Sequence, residues 1–124
     1  GHIYVAQPPL FRVDVNAQGK SKPARKFYAL DQNELDSILE RLQKEGVKET
    51  AYSISRFKGL GEMNPDQLKD TTMHPDTRRL LQVQIPEGAD DETRDIFVKL
   101  MGKGEAAARR AWMEKEGDTA ELDI

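Results

Sequence analysis

No cysteine occurs anywhere in the 124 residues, which excludes disulfides, thiolate metal sites and a cysteine nucleophile. Only His2 and His74 offer imidazole, so a zinc site is not expected. No apolar run approaches the roughly eighteen residues a membrane-spanning helix needs. The start, Gly1-His2-Ile3, carries neither the basic region nor the small-residue cleavage site of a secretory signal. A soluble, cytoplasmic protein without a membrane partner is the expectation. The first residue is not Met and the first few already read as a strand, so we expect a fragment of a larger protein.

What is present suits one modest domain. Hydrophobic residues make up 37% of the chain, and 19 basic residues face 22 acidic ones for a net charge of −3. The charge is unevenly divided. Residues 1–58 hold ten basic and seven acidic side chains, a balance of +3, whereas residues 59–124 hold nine and fifteen, a balance of −6. Lys20, Lys22, Arg25 and Lys26 sit in a loop with Gly, Ser and Pro that could follow a phosphate backbone. The acidic runs, Asp90-Asp91-Glu92 with Asp95 and Glu121 with Asp123, read as solvated charge and not as a divalent-metal site, which needs converging carboxylates.

Periodicity places the elements. Ile3-Tyr4-Val5 is a strand ended by Pro8-Pro9, and residues 10–15 and 26–30 form two more strands joined by a loop over 16–24. Asp31 with Glu34 forms a capping-box-like start for a helix that carries Leu35, Ile38, Leu39 and Leu42 on one face and ends before Gly46. Residues 53–57 make a strand that runs into Lys58-Gly59-Leu60-Gly61-Glu62-Met63-Asn64-Pro65, where the two glycines suggest an unusual backbone. Asn64 as N-cap and Pro65 at the first helical position predict a short helix over 65–71. Residues 80–85 alternate as a half-buried strand ended by Pro86. A helix from about Asp90 carries an apolar stripe of Ile96, Phe97, Leu100 and Met101. Gly102 and Gly104 break it, and a last helix over 105–116 presents Ala108, Ala111 and Trp112 before Gly117. Trp112 at this spacing reads as a core or interface anchor before a base-stacking platform.

The 56–62 segment holds the most chemistry. Glycines admit close approach of a ligand to the backbone, successive N–H groups can cradle an anion, and Arg56 and Lys58 stand beside them. Alternatively, Gly59 and Gly61 only shape a turn, and Arg56 and Glu62 satisfy one another. Gly-Leu-Gly lacks the spacing of a phosphate-binding P-loop. No serine, histidine and acid arrangement is suggested by spacing.

Taken together, residues 1–11 (Gly-His-Ile-Tyr-Val-Ala-Gln-Pro-Pro-Leu-Phe), residues 56–65 (Arg-Phe-Lys-Gly-Leu-Gly-Glu-Met-Asn-Pro), Thr71-Thr72-Met73 and Thr77-Arg78-Arg79-Leu80-Leu81 closely resemble the C-terminal part of bacterial type IIA topoisomerase B subunits, over the whole chain. Phe57, the stretch Arg109–Asp118 and the short span from Leu30 to Arg56 are more similar to the topoisomerase IV branch of the family than to the gyrase branch. The resemblance implies an α+β fragment. Residues 1–12 would be the last strand of an α/β Toprim domain and its exit. Residues 13–86 would be a mixed tail of short strands, one long helix and the glycine turn, and residues 87–124 the C-terminal helices. It also implies a holoenzyme of two A and two B subunits. That enzyme breaks both strands of one DNA duplex, passes a second through using ATP, and reseals the break, activities suited to decatenation.

The family's magnesium-holding acidic motifs lie upstream of this segment and the nucleophilic tyrosine lies on the A subunit. Mg2+ and ATP would therefore be bound elsewhere, with no catalytic or metal-ligating residue here. Arg56, Lys58, Gly59 and Gly61 are the expected DNA contacts, with Glu62 and Asn64 supporting the turn and the A subunit as protein partner. A stand-alone nucleic-acid-binding module and a protein-docking domain are the alternative readings. His74 departs from the family's usual Asp before Pro75, which puts an acidic cap on the turn over 75–79 in doubt.

Overall fold

The computed structural model describes residues 1–120 and is α+β. In chain order the elements are β1 (Tyr4–Ala6), β2 (Phe11–Val15), β3 (Arg25–Ala29), α1 (Gln32–Lys44), β4 (Tyr52–Arg56), α2 (Pro65–Leu68), β5 (Leu80–Gln82), α3 (Asp90–Met101) and α4 (Ala106–Glu116). These elements fall into two compact units, residues 2–82 and 83–120. Glu121 and Asp123 lie outside the described residues.

The first unit is organised by an antiparallel sheet in the order β3-β2-β4. β2 is its centre because Phe11, Val13 and Val15 alternate with Arg12 and Asp14, so one face is apolar and buried. Register sets Val13 opposite Phe27, which packs on the core, on one side and opposite Ile54, which is 45% exposed, on the other. α1 covers it with Leu35 and Leu42, and Val13 and Leu42 are fully buried. Beyond the core, Lys26 pairs with Asp70 at 3.2 Å, and Arg79 pairs with Glu34 on α1.

Local chemistry sets the limits of α1. The Asp31 side chain accepts from the Glu34 N–H at 2.9 Å, while the Glu34 carboxylate reaches back to the Leu30 N–H at 3.0 Å, so two end donors are satisfied. At the other end Gly46 takes φ +78, the Val47 N–H donates to Leu42 O and the Gly46 N–H to Gln43 O. This is a Schellman ending, and it turns Val47 back into the core, where glycine avoids the strain of a left-handed side chain.

β1 and β5 form a separate two-stranded antiparallel ribbon within the same unit. The expected half-buried strand over 80–85 is thus shorter, and Leu81 and Ile85 are exposed. The expected helix over 65–71 also differs. Asn64 caps it in a full capping box with Gln67, but after Leu68 the chain widens into a π turn over Lys69–Met73. Thr71 and Thr72 hydroxyls donate to the Gln67 and Leu68 carbonyls at 2.7 and 2.6 Å, competing with the backbone amides for the usual acceptors. The π turn closes through the His74 N–H donating to Lys69 O.

His74 does serve as a cap: its Nδ1 accepts from the Asp76 N–H at 3.2 Å. The acceptor role doubted for this position is therefore filled by the imidazole. His74→Asp should raise stability by only about 0.5 kcal/mol, the lower end of a capping gain, because one acceptor replaces another. A fall in melting temperature would contradict this.

The second unit pairs α3 with α4. Arg109 ties them by donating to the carbonyls of Lys99, Leu100 and Gly102 at the C-terminal end of α3, with Gly104 at φ +79 in the connection. The apolar stripe of α3 is open: Ile96, Phe97, Leu100 and Met101 are 48%, 58%, 41% and 80% exposed. Two helices joined end to end supply no second layer for that face. Trp112 is likewise exposed and anchors no core among the described residues, and α4 ends at Glu116 with Gly117 as its C-cap, followed by a 3-10 turn over Gly117–Thr119.

Candidate nucleic-acid interface

The strand-to-helix corner after β4 is built on the core. The Phe57 side chain is buried, and its N–H donates to Leu10 O at 2.7 Å, tying the corner to the chain entering β2. Arg56 opposes Phe11 in the ladder, with its guanidinium over the Phe11 ring 5.5 Å from the centroid. The face of that ring attracts and orients the cation. Lys58 follows, exposed, at the mouth of a small cleft of about 140 Å3 lined by Pro9, Leu10, Phe57, Lys58, Gly59 and Leu60.

Glu62 holds the corner. Its carboxylate accepts from the Lys58 N–H at 2.6 Å, a charge-assisted bond that closes the 3-10 turn over Leu60–Glu62 back onto the strand end. Asn64 fixes the exit: its Oδ1 accepts from the Gln67 N–H at 2.9 Å and its own N–H donates to Gln67 Oε1 at 3.0 Å. Arg56, Lys58, Glu62 and Asn64 are thereby gathered on one short segment between β4 and α2.

The glycines behave differently from the expectation. Gly59 is extended, at φ −171 and ψ 168, and Gly61 is not left-handed, so neither needs glycine for its backbone conformation. A Cβ at either position meets nothing within 4 Å. The internal packing of the chain therefore accounts for neither. Spacing alone could not reveal this, because Gly-Leu-Gly is equally compatible with a strained turn. That Glu62 holds the turn through the Lys58 backbone N–H was also beyond the reach of sequence.

Among the described residues no group of three or more His, Asp or Glu side chains could hold a metal ion. No described helix is long and apolar enough to cross a membrane.

Residues 49–114 match the family of the DNA gyrase B subunit, carboxyl terminus, a stretch that includes the whole 56–62 corner and more than half of the chain. The chain is 48% identical over 123 residues to the B subunit of DNA topoisomerase 4 from Francisella tularensis, covering 99% of this chain and 18% of that protein. It is 47% identical over 122 residues to the Pseudomonas aeruginosa protein of the same name, covering 98% and 18%. The B subunit of DNA gyrase from Thermus thermophilus is 41% identical over 124 residues, covering 100% and 17%. The chain therefore spans less than a fifth of the length of these relatives. With its ordered blocks, its α+β fold and the family match in agreement, the chain belongs to the DNA gyrase B carboxyl-terminal family, the C-terminal region of type IIA topoisomerase B subunits.

Proposed function

We propose that the chain is the C-terminal part of a B subunit of the topoisomerase IV kind, and that its 56–62 corner seats the backbone of the duplex being cleaved. The identity of 42–48% to topoisomerase 4 subunits, against 39–41% to gyrase subunits, supports that branch. In this reading the whole bacterial enzyme changes DNA topology by double-strand breakage, passage and resealing, and works in the cytoplasm as two A and two B subunits. Mg2+ would supply charge stabilisation at the scissile phosphate, from a Toprim site elsewhere in the B subunit, and ATP would bind elsewhere as well.

The residues here would contribute position, not bond chemistry. Lys58 presents an ammonium, Arg56 a guanidinium oriented by Phe11, and Gly59 and Gly61 a backbone that a sugar-phosphate strand can approach without meeting a Cβ. Glu62 keeps this surface rigid through the Lys58 N–H. The observation that carries the reading is the pair of glycines, at which an added Cβ would meet nothing within 4 Å among the described residues.

Gly59→Val separates the two explanations of those glycines. An extended backbone accepts valine readily, so the variant should fold with unchanged or slightly higher stability. It should nevertheless lose about tenfold or more of DNA cleavage in the holoenzyme, since the branched side chain stands where the strand would lie. Undiminished cleavage would remove the main support for a DNA contact here.

The open stripe on α3 favours a second role, docking of the A subunit. Phe97→Asp puts a charge in the middle of that stripe and should weaken association of the two subunits by about tenfold in sedimentation without unfolding the helix, because Phe97 is 58% exposed.

A further inference from the structure

At the C-terminal end of α1, Glu45 lies in the field of three cations, Lys22, Arg25 and Arg41. Arg25 donates to Glu45 at 2.8 Å. The guanidinium groups of Arg25 and Arg41 both lie over the Phe27 ring, 5.5 and 4.8 Å from its centroid. The Glu45 carboxyl is held below its ordinary value of 4.5, first by the Arg25 hydrogen bond, with desolvation opposing and the fields of Arg25, Arg41 and Lys22 assisting. Arg25 thus bonds this carboxylate directly, and the fields of Arg41 and Lys22 act on it as well.

The negative end of the α1 dipole accounts for a cation in the last helical turn, the place of Arg41 and Lys44. It does not account for Lys22 and Arg25, which come from the preceding loop and from β3. Position over the Phe27 ring engages a face of each guanidinium, while the edges carry the donors with which arginine recognises phosphate; Arg25 already gives one of its donors to Glu45. A cleft of about 230 Å3 opens beside them, lined by Asn16, Gln18, Ser21, Lys22, Arg25 and Glu45. Its position is set by register. Arg25 opposes Val15 and Arg56 opposes Phe11, so the two arginines stand at opposite ends of the sheet, roughly 13 Å apart measured along β2. A duplex carries a phosphate charge about every 1.7 Å of its axis, so one DNA molecule is long enough to meet both.

We propose that Lys22, Arg25 and Arg41 form a second phosphate-binding contact, which takes a nucleic-acid backbone away from the strand seated at Lys58. This rests on the reading that the chain belongs to a DNA-handling subunit. An acidic protein segment is the competing occupant, and the duplex seated at the first site favours the nucleic acid.

The test uses the full-length B subunit assembled with its A subunit, and a long duplex titrated over a range of salt concentrations. The double variant Lys22→Gln/Arg41→Gln alters two exposed side chains. It should weaken duplex binding about tenfold near physiological salt and flatten the slope of log K against log salt by about 0.9 for each phosphate no longer neutralised. Arg41→Lys, which keeps the charge, should preserve most of the slope. Glu45→Gln should tighten binding. An unchanged slope in the double variant overturns the proposal, whether the variant merely melts at a lower temperature, as a dipole role would require, or instead binds the A subunit less well, as an acidic partner would. Failure of the underlying reading looks different: the wild-type assembly would then neither cleave the duplex nor bind it in a salt-dependent way.

Discussion

Lys58→Glu should reduce DNA cleavage by the holoenzyme by roughly ten- to a hundredfold near physiological salt, the largest functional effect expected of a single change in this chain. Reversing the charge removes one phosphate contact and sets a carboxylate against the backbone, in a corner where Arg56 is the neighbouring cation. The loss should shrink as salt rises, because the wild-type attraction is screened while the variant has little left to screen. Folding should survive. The side chain is exposed, and the bond that closes the corner runs from the Lys58 backbone N–H to Glu62, which any residue at position 58 except proline can make. Cleavage equal to the wild type across the whole salt range would show that Lys58 does not face the duplex.

Leu42→Ala should have the largest effect on stability. Leu42 is fully buried where α1 meets the sheet, and its carbonyl also accepts the Val47 N–H that ends the helix. Truncation removes buried methyl groups and leaves a cavity that the sheet cannot close, at a cost of about 3 kcal/mol. The readout is hydrogen exchange in the full-length subunit. Amides of β2 and α1 should open together with a free energy lowered by that amount, while those of α3 and α4, in the other compact unit, keep their protection. Equal loss of protection in both units would mean that they unfold as one.

Much of the first unit could be read from residue order. Phe11, Val13 and Val15 alternate cleanly, Asp31 with Glu34 marks a helix start, and Gly46 marks its end. Each is a local signal whose physical cause lies within a few residues. Asn64-Pro65 was equally direct, since the capping box it opens closes on Gln67. The π turn was not legible, because it depends on where Thr71 and Thr72 hydroxyls find acceptors once the helix has formed. That the α3 stripe lies open was not legible for a related reason: a helical period shows which face is apolar, not what lies against it. At the candidate interface, Arg56, Lys58 and Glu62 could be named from sequence, Glu62 as a support of the turn, but not that it works through the Lys58 amide.

Sequence alone therefore determined the family, the strands of the central sheet, α1 with both of its ends, and the segment that carries the basic corner, because periodicity, capping and ordered motifs are all written in neighbouring residues. Tertiary structure decided the rest: that Gly59 and Gly61 face open space without needing a left-handed backbone, that Glu62 grips the Lys58 amide, and that Arg25 and Arg41 meet over Phe27. These depend on distances between side chains brought together by strand register and helix packing, and residue order does not encode such distances locally.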